Sequence, residues 1–371
     1  MPTKSAFRTL LAVALAGLAL FGLPSAAGAD DTGSVQVYGR YTPIAGDFDG
    51  DTFGDILFYA PGTAADSLWL GDAEGWQAHT TVPKSITGTF VPVVGDFNGD
   101  QLDDILFHPA GGGTDFRWLA TGEGGFSSSA MPNANTGTPL VGRFNGDERD
   151  DILWYAPGSA ADSIWVSRED GTFQETAMPI NGTYTAVVGD FDGNASDDVL
   201  FGNPGAAAEP LWLSTGSVGL NCATCFTKTS RPFAGTATAP HVGDFDGNGF
   251  SDVLWYGAGT GTDELWLSGP GAAFTTRSVT AVGTYLPVIR EAYNHDQVVW
   301  YSPGGTDLTW TFEGDGFVNG EFPQVGPGLV PLVGVHRGPF PDEDIFFYGP
   351  GTTTDVQTYV TDDIAKRRSP P

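Results

Sequence analysis

The chain has 371 residues, 40% of them hydrophobic and 12% aromatic, which is enough to form a substantial core. Its 53 glycines and 26 prolines, interleaved with regular apolar runs, indicate a turn-rich β protein and exclude a disordered one. A formal charge of −29 at pH 7 repels phosphate groups and anionic lipids, so nucleic acid and acidic membranes are excluded as expected partners.

The first predicted element is a secretory signal peptide at residues 1–29. Lys4 and Arg8 precede an apolar stretch that ends at Leu23, and the small residues before Asp30 offer a cleavage site near Ala29. The apolar stretch is shorter than the roughly 20 residues that a membrane span needs. We therefore expect a secreted, extracellular protein without a membrane span after cleavage, with a single N-terminal anchor helix as the alternative.

One unit then repeats seven times between residues 30 and 360. Its signature is Gly46-Asp-Phe-Asp-Gly-Asp51 followed by Asp55-Ile-Leu-Phe, which returns almost unchanged at Gly95. Such a period identifies a repeat architecture. The residues that follow the signature glycine or its replacement lie 44 to 54 positions apart, at Asp47, Asp96, Arg143, Asp190, Asp244, Glu291 and Val335.

Each unit has the pattern of four short strands. An apolar strand leads into the acidic turn, a second strand ends near Pro-Ala-Gly or Ala-Pro-Gly, a third carries Trp, and a fourth ends the unit. Four strands per unit form the blade of a propeller, so the predicted fold is an all-β, seven-bladed β-propeller of four-stranded blades.

The two ends of the chain predict how the ring closes. The last unit runs out near Tyr359 without its fourth strand, whereas the segment from Ser34 to Tyr38 resembles a fourth strand without a unit. We expect this N-terminal strand to pair with the last blade, so that no sheet edge stays open. Residues 361–371 are then a disordered tail.

Aromatic residues recur at fixed places in the second and third strands. They predict packing between blades, because the wedge between stacked sheets needs large flat groups. The alternative, a multivalent lectin, requires these rings to be exposed. The columns are Phe58-Tyr59, Phe107-His108, Trp154-Tyr155, Phe201-Gly202, Trp255-Tyr256, Trp300-Tyr301 and Phe347-Tyr348, and then Trp69, Trp118, Trp165, Trp212, Trp266 and Trp310.

The acidic turn predicts a calcium site in four units. Oxygen ligands stand at positions 1, 3, 5 and 9 of the turn, with the carbonyl of position 7 as another, and Ca²⁺ prefers such an all-oxygen shell. Without a cation these carboxylates repel one another. The predicted ligands are Asp47, Asp49, Asp51 and Asp55; Asp96, Asn98, Asp100 and Asp104; Asp190, Asp192, Asn194 and Asp198; and Asp244, Asp246, Asn248 and Asp252.

These motifs resemble the FG-GAP/VCBS-like repeats of integrin α-chain propellers and of many secreted bacterial proteins. The resemblance spans Ser34 to about Val360 and implies about four structural calcium ions and a surface that binds protein or carbohydrate. Family calcium loops often carry glycine at position 6, which survives here only as Gly249. We expect its replacement in the other three turns to weaken their geometry.

Three units depart from the pattern. Arg143 replaces the first carboxylate of the third turn, and our hypothesis is that its guanidinium takes over the role of the cation. In the sixth and seventh units, ligands give way to Arg and His, which predicts either eroded repeats or a ligand site. The candidate residues of that site are His241, Arg290, His295, His336 and Arg337.

The cysteines Cys222 and Cys225 lie in the unit with the 54-residue spacing, and the exported context predicts a disulfide that pins an enlarged loop. No nucleophile elbow or zinc-ligand spacing occurs. The leading prediction is a monomeric, secreted, calcium-binding scaffold for binding or adhesion to an extracellular protein or carbohydrate. The alternatives are a carbohydrate-active enzyme, a polysaccharide lyase or glycosidase using His241, Arg290 and His295, and the multivalent lectin.

Overall fold

The structure is a computed structural model. It describes residues 32–33, 37–72, 79–109, 111–133, 135–158, 161–203, 205–233, 235, 239–259, 263–292, 294–336, 343–351 and 353–358. The predicted signal peptide and the predicted tail lie outside these ranges. In the described ranges, no helix has the length and apolar character that crossing a membrane requires.

In the described part of the chain, 28 strands form seven antiparallel sheets of four strands, and each sheet corresponds to one repeat unit. This confirms the predicted seven-bladed β-propeller. Strand β1 (Thr32–Gly33) belongs to blade 7. Blade 1 contains β2 (Thr42–Gly46), β3 (Asp55–Tyr59), β4 (Asp66–Leu70) and β5 (Thr80–Lys84). Blade 2 contains β6 (Phe90–Gly95), β7 (Asp104–Pro109), β8 (Gly113–Ala120) and β9 (Phe126–Asn133).

The remaining blades follow the same order. Blade 3 contains β10 (Thr138–Gly142), β11 (Asp151–Tyr155), β12 (Ser163–Ser167) and β13 (Phe173–Ala177). Blade 4 contains β14 (Thr185–Gly189), β15 (Asp198–Gly202), β16 (Ala208–Ser214), a 3₁₀ turn (Cys222–Thr224) and β17 (Phe226–Pro232). Blade 5 contains β18 (Ala239–Gly243), β19 (Asp252–Tyr256), β20 (Asp263–Leu267) and β21 (Thr275–Val279). Blade 6 contains β22 (Leu286–Arg290), β23 (Gln297–Tyr301), β24 (Leu308–Glu313) and β25 (Gly316–Glu321), and blade 7 contains β26 (Val330–His336), β27 (Glu343–Tyr348), β28 (Val356–Thr358) and β1.

The core lies between the blades. Side chains alternate across a strand, so each second strand sends alternate residues to the two neighbouring blades. Leu57 and Tyr59 share a buried cluster with Ile105 of blade 2, whereas Phe58 packs against Phe346 of blade 7. Every second strand is therefore buried on both faces, which explains its continuous apolar sequence.

Burial of the aromatic columns confirms the predicted packing role. Five of the six third-strand tryptophans expose at most 7% of their surface, and only Trp118 is half-buried. The second-strand rings are 0–3% exposed. The multivalent-lectin reading needed these rings at the surface, so their burial is evidence against it.

The first strands form the inner wall of the ring, where those of neighbouring blades contact one another. Each is an edge strand of its sheet. Because proline has no N–H to offer, a proline on this edge discourages pairing with another strand. Six blades carry it at the same position: Pro43, Pro92, Pro139, Pro240, Pro287 and Pro331.

A second column of carboxylates, which the sequence pattern did not single out, lies within two residues of the start of each third strand. In blade 1, Asp66 accepts hydrogen bonds from the main-chain N–H groups of Ala60 and Ile86, at 2.7 and 2.6 Å. These bonds tie the loop after the second strand to the connection into the next blade. The column consists of Asp66, Asp115, Asp162, Glu209, Asp263, Asp307 and Asp355.

Blade 2 keeps this carboxylate but changes its donors. The residue after the second-strand aromatic position is Pro109, which has no N–H to give. His108 instead donates from Nδ1 to Asp115 at 2.9 Å, and the Asn133 amide donates to the other oxygen at 2.7 Å. The histidine thus replaces a missing main-chain donor.

The ring closes through the N-terminus, as predicted, but at different residues. Thr32 pairs with Thr358 and Gly33 with Gln357, whereas the predicted strand began at Ser34, which lies outside the described residues. Residues 37–41 instead form a blade-to-blade connection. Tyr348 Oη donates to the Gly39 carbonyl and accepts from the Tyr41 N–H, as Tyr59 does at the junction of blades 1 and 2.

Asp355 makes this closure testable. Its two carboxylate oxygens accept from the N–H groups of Val37 and Gly349, and the side chain is fully buried. We expect Asp355→Ala to lower the free energy of unfolding by about 3 kcal/mol, because it leaves two buried donors unsatisfied. Urea denaturation measures the loss. The control is Asp315→Ala, which removes a carboxylate that is 92% exposed, and an equal effect of the two variants contradicts the assignment.

Candidate metal centres in the blade turns

Each acidic turn folds around its first carboxylate. In blade 1, Asp47 Oδ1 accepts from the Gly50 N–H at 2.8 Å and Oδ2 accepts from the Thr52 N–H at 3.1 Å. Local bonds of this kind are why an Asp at the start of a Gly-rich segment closes a turn. Asp96 and Asp190 make the corresponding contacts in their own turns, whereas Asp244 accepts from the N–H groups of Asn248 and Gly249.

The last carboxylate of the turn is the first residue of the second strand. Asp55 is fully buried, and it accepts from the N–H of Phe48 in the turn at 2.8 Å and from that of Gly71 after the third strand at 2.9 Å. Burial, together with the nearby charges of Asp49 and Asp47, raises its pKa to about 8. Burial likewise raises the pKa of Asp104, Asp198 and Asp252 to about 8.

Three carboxylates converge in three of the turns. One oxygen from each of positions 1, 3 and 9 lies within 4.8 Å of the others. The groups are Asp47, Asp49 and Asp55; Asp190, Asp192 and Asp198; and Asp244, Asp246 and Asp252. Blade 2 keeps Asp96 and Asp104 at positions 1 and 9 and has an amide, Asn98, at position 3.

In blade 1, the carboxylate at position 5 lies outside the group of three. Asp51 Oδ1 accepts from the Phe53 N–H at 2.8 Å, and the amides of Asn194 and Asn248 donate to the carbonyls of Ser214 and Ser268. Asp100 Oδ1 likewise accepts from the Leu102 N–H at 2.9 Å. In the structure, position 5 side chains hold the turn together, and in blades 1, 4 and 5 the carboxylates at positions 1, 3 and 9 converge.

The donor set fits a hard divalent cation. It consists of oxygen atoms, most of them carboxylate, which is the chemistry that Ca²⁺ prefers. The raised pKa values describe the unfavourable ionisation of carboxylates that are buried close together. A cation placed among them favours their charged forms.

One repeat unit of the chain matches a known family. Residues 143–201, from the turn of blade 3 to the second strand of blade 4, match the FG-GAP-like repeat. The other blades repeat the same four-stranded unit. The seven-bladed propeller thus contains an FG-GAP-like repeat at residues 143–201. No curated protein matches it at the level of sequence.

Solved structures resemble this seven-bladed propeller in fold. An Agrocybe aegerita lectin that recognises non-reducing terminal N-acetylglucosamine has a TM-score of 0.61 and 16% identity, over 76% of this chain and 79% of the lectin. Streptogramin B lyase has a TM-score of 0.53 and 11% identity, over 89% and 97%. BBS1N in complex with ARL6DN has a TM-score of 0.50 and 10% identity, over 88% and 94%. At identities this low the likeness is one of fold alone.

The third turn of the propeller carries its own cationic side chain. Arg149 donates from Nη2 to the carboxylate of Asp147 at 2.5 Å and from Nε to the Ser167 carbonyl at 3.3 Å. Arg143, which we expected in this role, instead lies 3.8 Å from Asp150, the residue at position 8 of the turn. Arg149 stands at position 7, which supplies only a carbonyl in our predicted ligand set, so the sequence pattern did not single it out.

The disulfide loop of blade 4 covers this third turn. Cys222 and Cys225 are joined by a disulfide, with their Cα atoms 4.7 Å apart. The Asn145 amide donates to the Gly219 carbonyl at 3.3 Å, and a Cβ at Gly146 would come within 2.2 Å of the Gly216 oxygen. The enlarged loop therefore packs where the other turns expose their acidic groups.

The sixth turn lacks the ligand set and also carries a coupled replacement at its start. In blade 1 the glycine before the turn leaves room for Phe48, because a Cβ at Gly46 would lie 2.8 Å from the ring. In blade 6 the glycine position is Arg290 and the Phe position is Ala292. The arginine has replaced the glycine where the neighbouring ring is absent.

Contacts of Arg290 support an eroded repeat over a ligand site. Its guanidinium donates to Gln297 Oε1, the position of Asp55 in blade 1, and only 7% of the residue is exposed. The guanidinium carbon also lies 6.0 Å from the centre of the Phe322 ring. His295 lies against Gly247 of the fifth turn. The His336 side chain and Arg337 lie outside the described residues.

Position 6 of the turn keeps one backbone conformation in all four predicted sites. Thr52, Gln101 and Ala195 have φ values of 75, 71 and 65°, and Gly249 has 86°. This is the left-handed region that glycine adopts without strain and that costs other residues roughly 1 kcal/mol. The residues that replace glycine at position 6 therefore keep the same backbone conformation, and this conformation is strained for them.

This strain predicts that adding and removing glycine at position 6 change the free energy of unfolding in opposite directions. We expect Thr52→Gly and Ala195→Gly each to raise the free energy of unfolding by about 1 kcal/mol, because they relieve the left-handed backbone. Gly249→Ala lowers it by a similar amount, since a Cβ there meets no atom within 4 Å and only the backbone conformation opposes it. Urea denaturation without added metal measures all three. Changes of the same sign contradict the strain argument.

His241 predicts a dependence of stability on pH. It lies on the inner strand of blade 5 where blades 1, 2 and 6 carry Ile44, Val93 and Val288, and its buried Nε2 has no hydrogen-bond partner in the described part of the chain. Burial lowers its pKa from 6.5 to about 4. The unfolded chain therefore binds the proton first, and stability is lost as pH falls from 6.5 towards 4.

We expect His241→Val to remove this loss. Relative to the parent, the variant gains up to about 1.4 kcal/mol of stability for each pH unit below 6.5. Thermal unfolding of the parent and the variant between pH 5 and pH 7.5 measures the difference. Parallel pH profiles for the two proteins contradict the assignment.

Proposed function

We propose that this protein is a secreted, calcium-stabilised propeller that serves as a binding scaffold for an extracellular protein or carbohydrate. The observation that carries the metal part is the convergence of three carboxylates at the same place in blades 1, 4 and 5. A cluster in one turn is often only a solvated turn, but its recurrence in a repeated unit favours a bound ion.

The ions have a structural role in this proposal. In blade 1, Asp47, Asp49 and Asp55 hold the cation, and the corresponding residues do so in blades 2, 4 and 5. The ion supplies positive charge among carboxylates that otherwise oppose one another's ionisation. Because Asp55 also bonds to the turn and to the end of the third strand, a charged and fixed Asp55 stabilises the whole blade.

A neutral carbohydrate is the ligand that the charge and the fold favour. The likeness to a lectin supports a carbohydrate, and the formal charge of −29 repels polyanionic sugars. The same repulsion argues against a lyase of uronic acid polymers. Since the aromatic columns are buried, the binding surface consists of loops and strand edges outside those columns.

Removal of calcium tests the metal part. We expect EDTA to lower the melting temperature at pH 7.5 by several degrees, because the turn carboxylates lose their counter-ion, and excess CaCl₂ restores it. Calorimetric titration of the chelated protein then counts about four ions. The control is a variant with Asp49→Ala, Asn98→Ala, Asp192→Ala and Asp246→Ala, whose melting temperature no longer responds to CaCl₂. A melting curve that EDTA leaves unchanged contradicts the proposal.

A glycan array tests the binding part. We expect the labelled, calcium-loaded protein to bind saturably to neutral glycans and weakly to polyuronates. The same preparation is incubated with the polyuronates, and absorbance at the wavelength of unsaturated uronates is recorded. Catalytic release of such products contradicts the scaffold and identifies the lyase.

A further inference from the structure

We propose that the cation sites act as two coupled pairs, blades 1 and 2 and blades 4 and 5, with the ion-independent turn of blade 3 between them. This inference rests on the proposed function, because it concerns the order in which the sites fill. It adds two residues to the metal-binding machinery, Asp103 and Ser251, as positioning residues that hold no ion themselves.

Hydrogen bonds join the first two turns directly. The Asp103 N–H donates to the Asp47 carbonyl at 2.8 Å, and the Asp47 N–H donates to Asp103 Oδ2 at 2.9 Å. Asp47 supplies position 1 of the first site, whereas Asp103 immediately precedes Asp104, which supplies position 9 of the second. An ion that fixes the first turn therefore also fixes the residue next to a ligand of the second.

The turns of blades 4 and 5 are joined at the same place. The Ser251 N–H donates to the Asp190 carbonyl at 2.8 Å, and Ser251 immediately precedes the ligand Asp252. A Cβ at Gly189 would lie 2.7 Å from the Ser251 side chain, so the two turns are in close contact. Here the side chain is a serine, and the main-chain bond joins the two turns.

The third turn separates the two pairs of sites because its positive charge comes from Arg149 and does not depend on a bound ion. Its hydrogen bonds to the neighbouring turns are present. The Asp150 N–H donates to the Asp96 carbonyl at 2.8 Å, and the Asp197 N–H donates to the Arg143 carbonyl at 2.9 Å. Coupling between sites requires an element whose state changes when one site is filled. The turn of blade 3 is already held by the guanidinium of Arg149. Its structure is therefore the same whether the neighbouring sites are empty or filled.

Four variants with two sites each isolate the coupling. Asp192→Ala/Asp246→Ala keeps blades 1 and 2, and Asp49→Ala/Asn98→Ala keeps blades 4 and 5. Asp49→Ala/Asp192→Ala keeps blades 2 and 5, and Asn98→Ala/Asp246→Ala keeps blades 1 and 4. The first two variants together contain every site once, and so do the last two. Differences in intrinsic affinity therefore cancel when the summed binding free energies of the two sets are compared.

Calorimetric titration with CaCl₂ gives the overall constant for filling both sites of each variant. We expect the product of the constants for the two neighbouring pairs to exceed that for the two separated pairs by about fivefold or more. Equal products overturn the pairing while leaving the calcium scaffold intact. Absence of binding in the unmutated protein overturns both.

Asp103→Ser tests the positioning role in the variant that keeps blades 1 and 2. It removes the side-chain acceptor and creates the serine that blade 5 carries naturally. Because the main-chain bond to Asp47 remains, we expect the Hill coefficient to fall to the value of the variant that keeps blades 4 and 5, while two ions still bind. An unchanged Hill coefficient together with a lower melting temperature of the ion-free protein assigns Asp103 a purely structural role and overturns its part in coupling.

Discussion

The buried carboxylate at the start of each second strand is the interaction on which the blade depends. Asp55 is removed from water in a β-strand, which is unfavourable for a charged group unless it is hydrogen-bonded. Its two oxygens therefore accept main-chain N–H groups, one from the turn and one from the end of the third strand. The same pair of bonds in blades 2, 3, 4 and 5 fixes where each turn begins and thereby brings its carboxylates together.

Blades that depart from the pattern replace the lost group with another of the same kind. Arg149 supplies a cation to the third turn. Gln297 takes the place of the buried carboxylate in blade 6, where the neighbouring Arg290 is its donor. His108 replaces the N–H that Pro109 lacks. Each change keeps buried polar atoms paired, which is the condition for tolerating a substitution inside a closely packed ring.

The residues that recur in every blade have structural roles, so they do not identify a ligand surface. The repeated Trp and Tyr side chains fill the space between blades, and the repeated carboxylates organise turns. Residues that hold the ring together are needed in every blade, whereas a ligand surface uses loops that differ from one blade to the next. The enlarged disulfide loop of blade 4 is one such difference.

The sequence alone determined the number of blades, the four strands of each, the buried aromatic columns and the place of the acidic turns, because all of these recur with a local period. Only the tertiary structure decided which partners distant residues take. It placed the closing strand at Thr32–Gly33, showed that Arg149 supplies the positive charge of the third turn and revealed the second carboxylate column. These choices depend on contacts between blades and on donors many residues away, and the spacing of residue types along one chain does not specify such contacts.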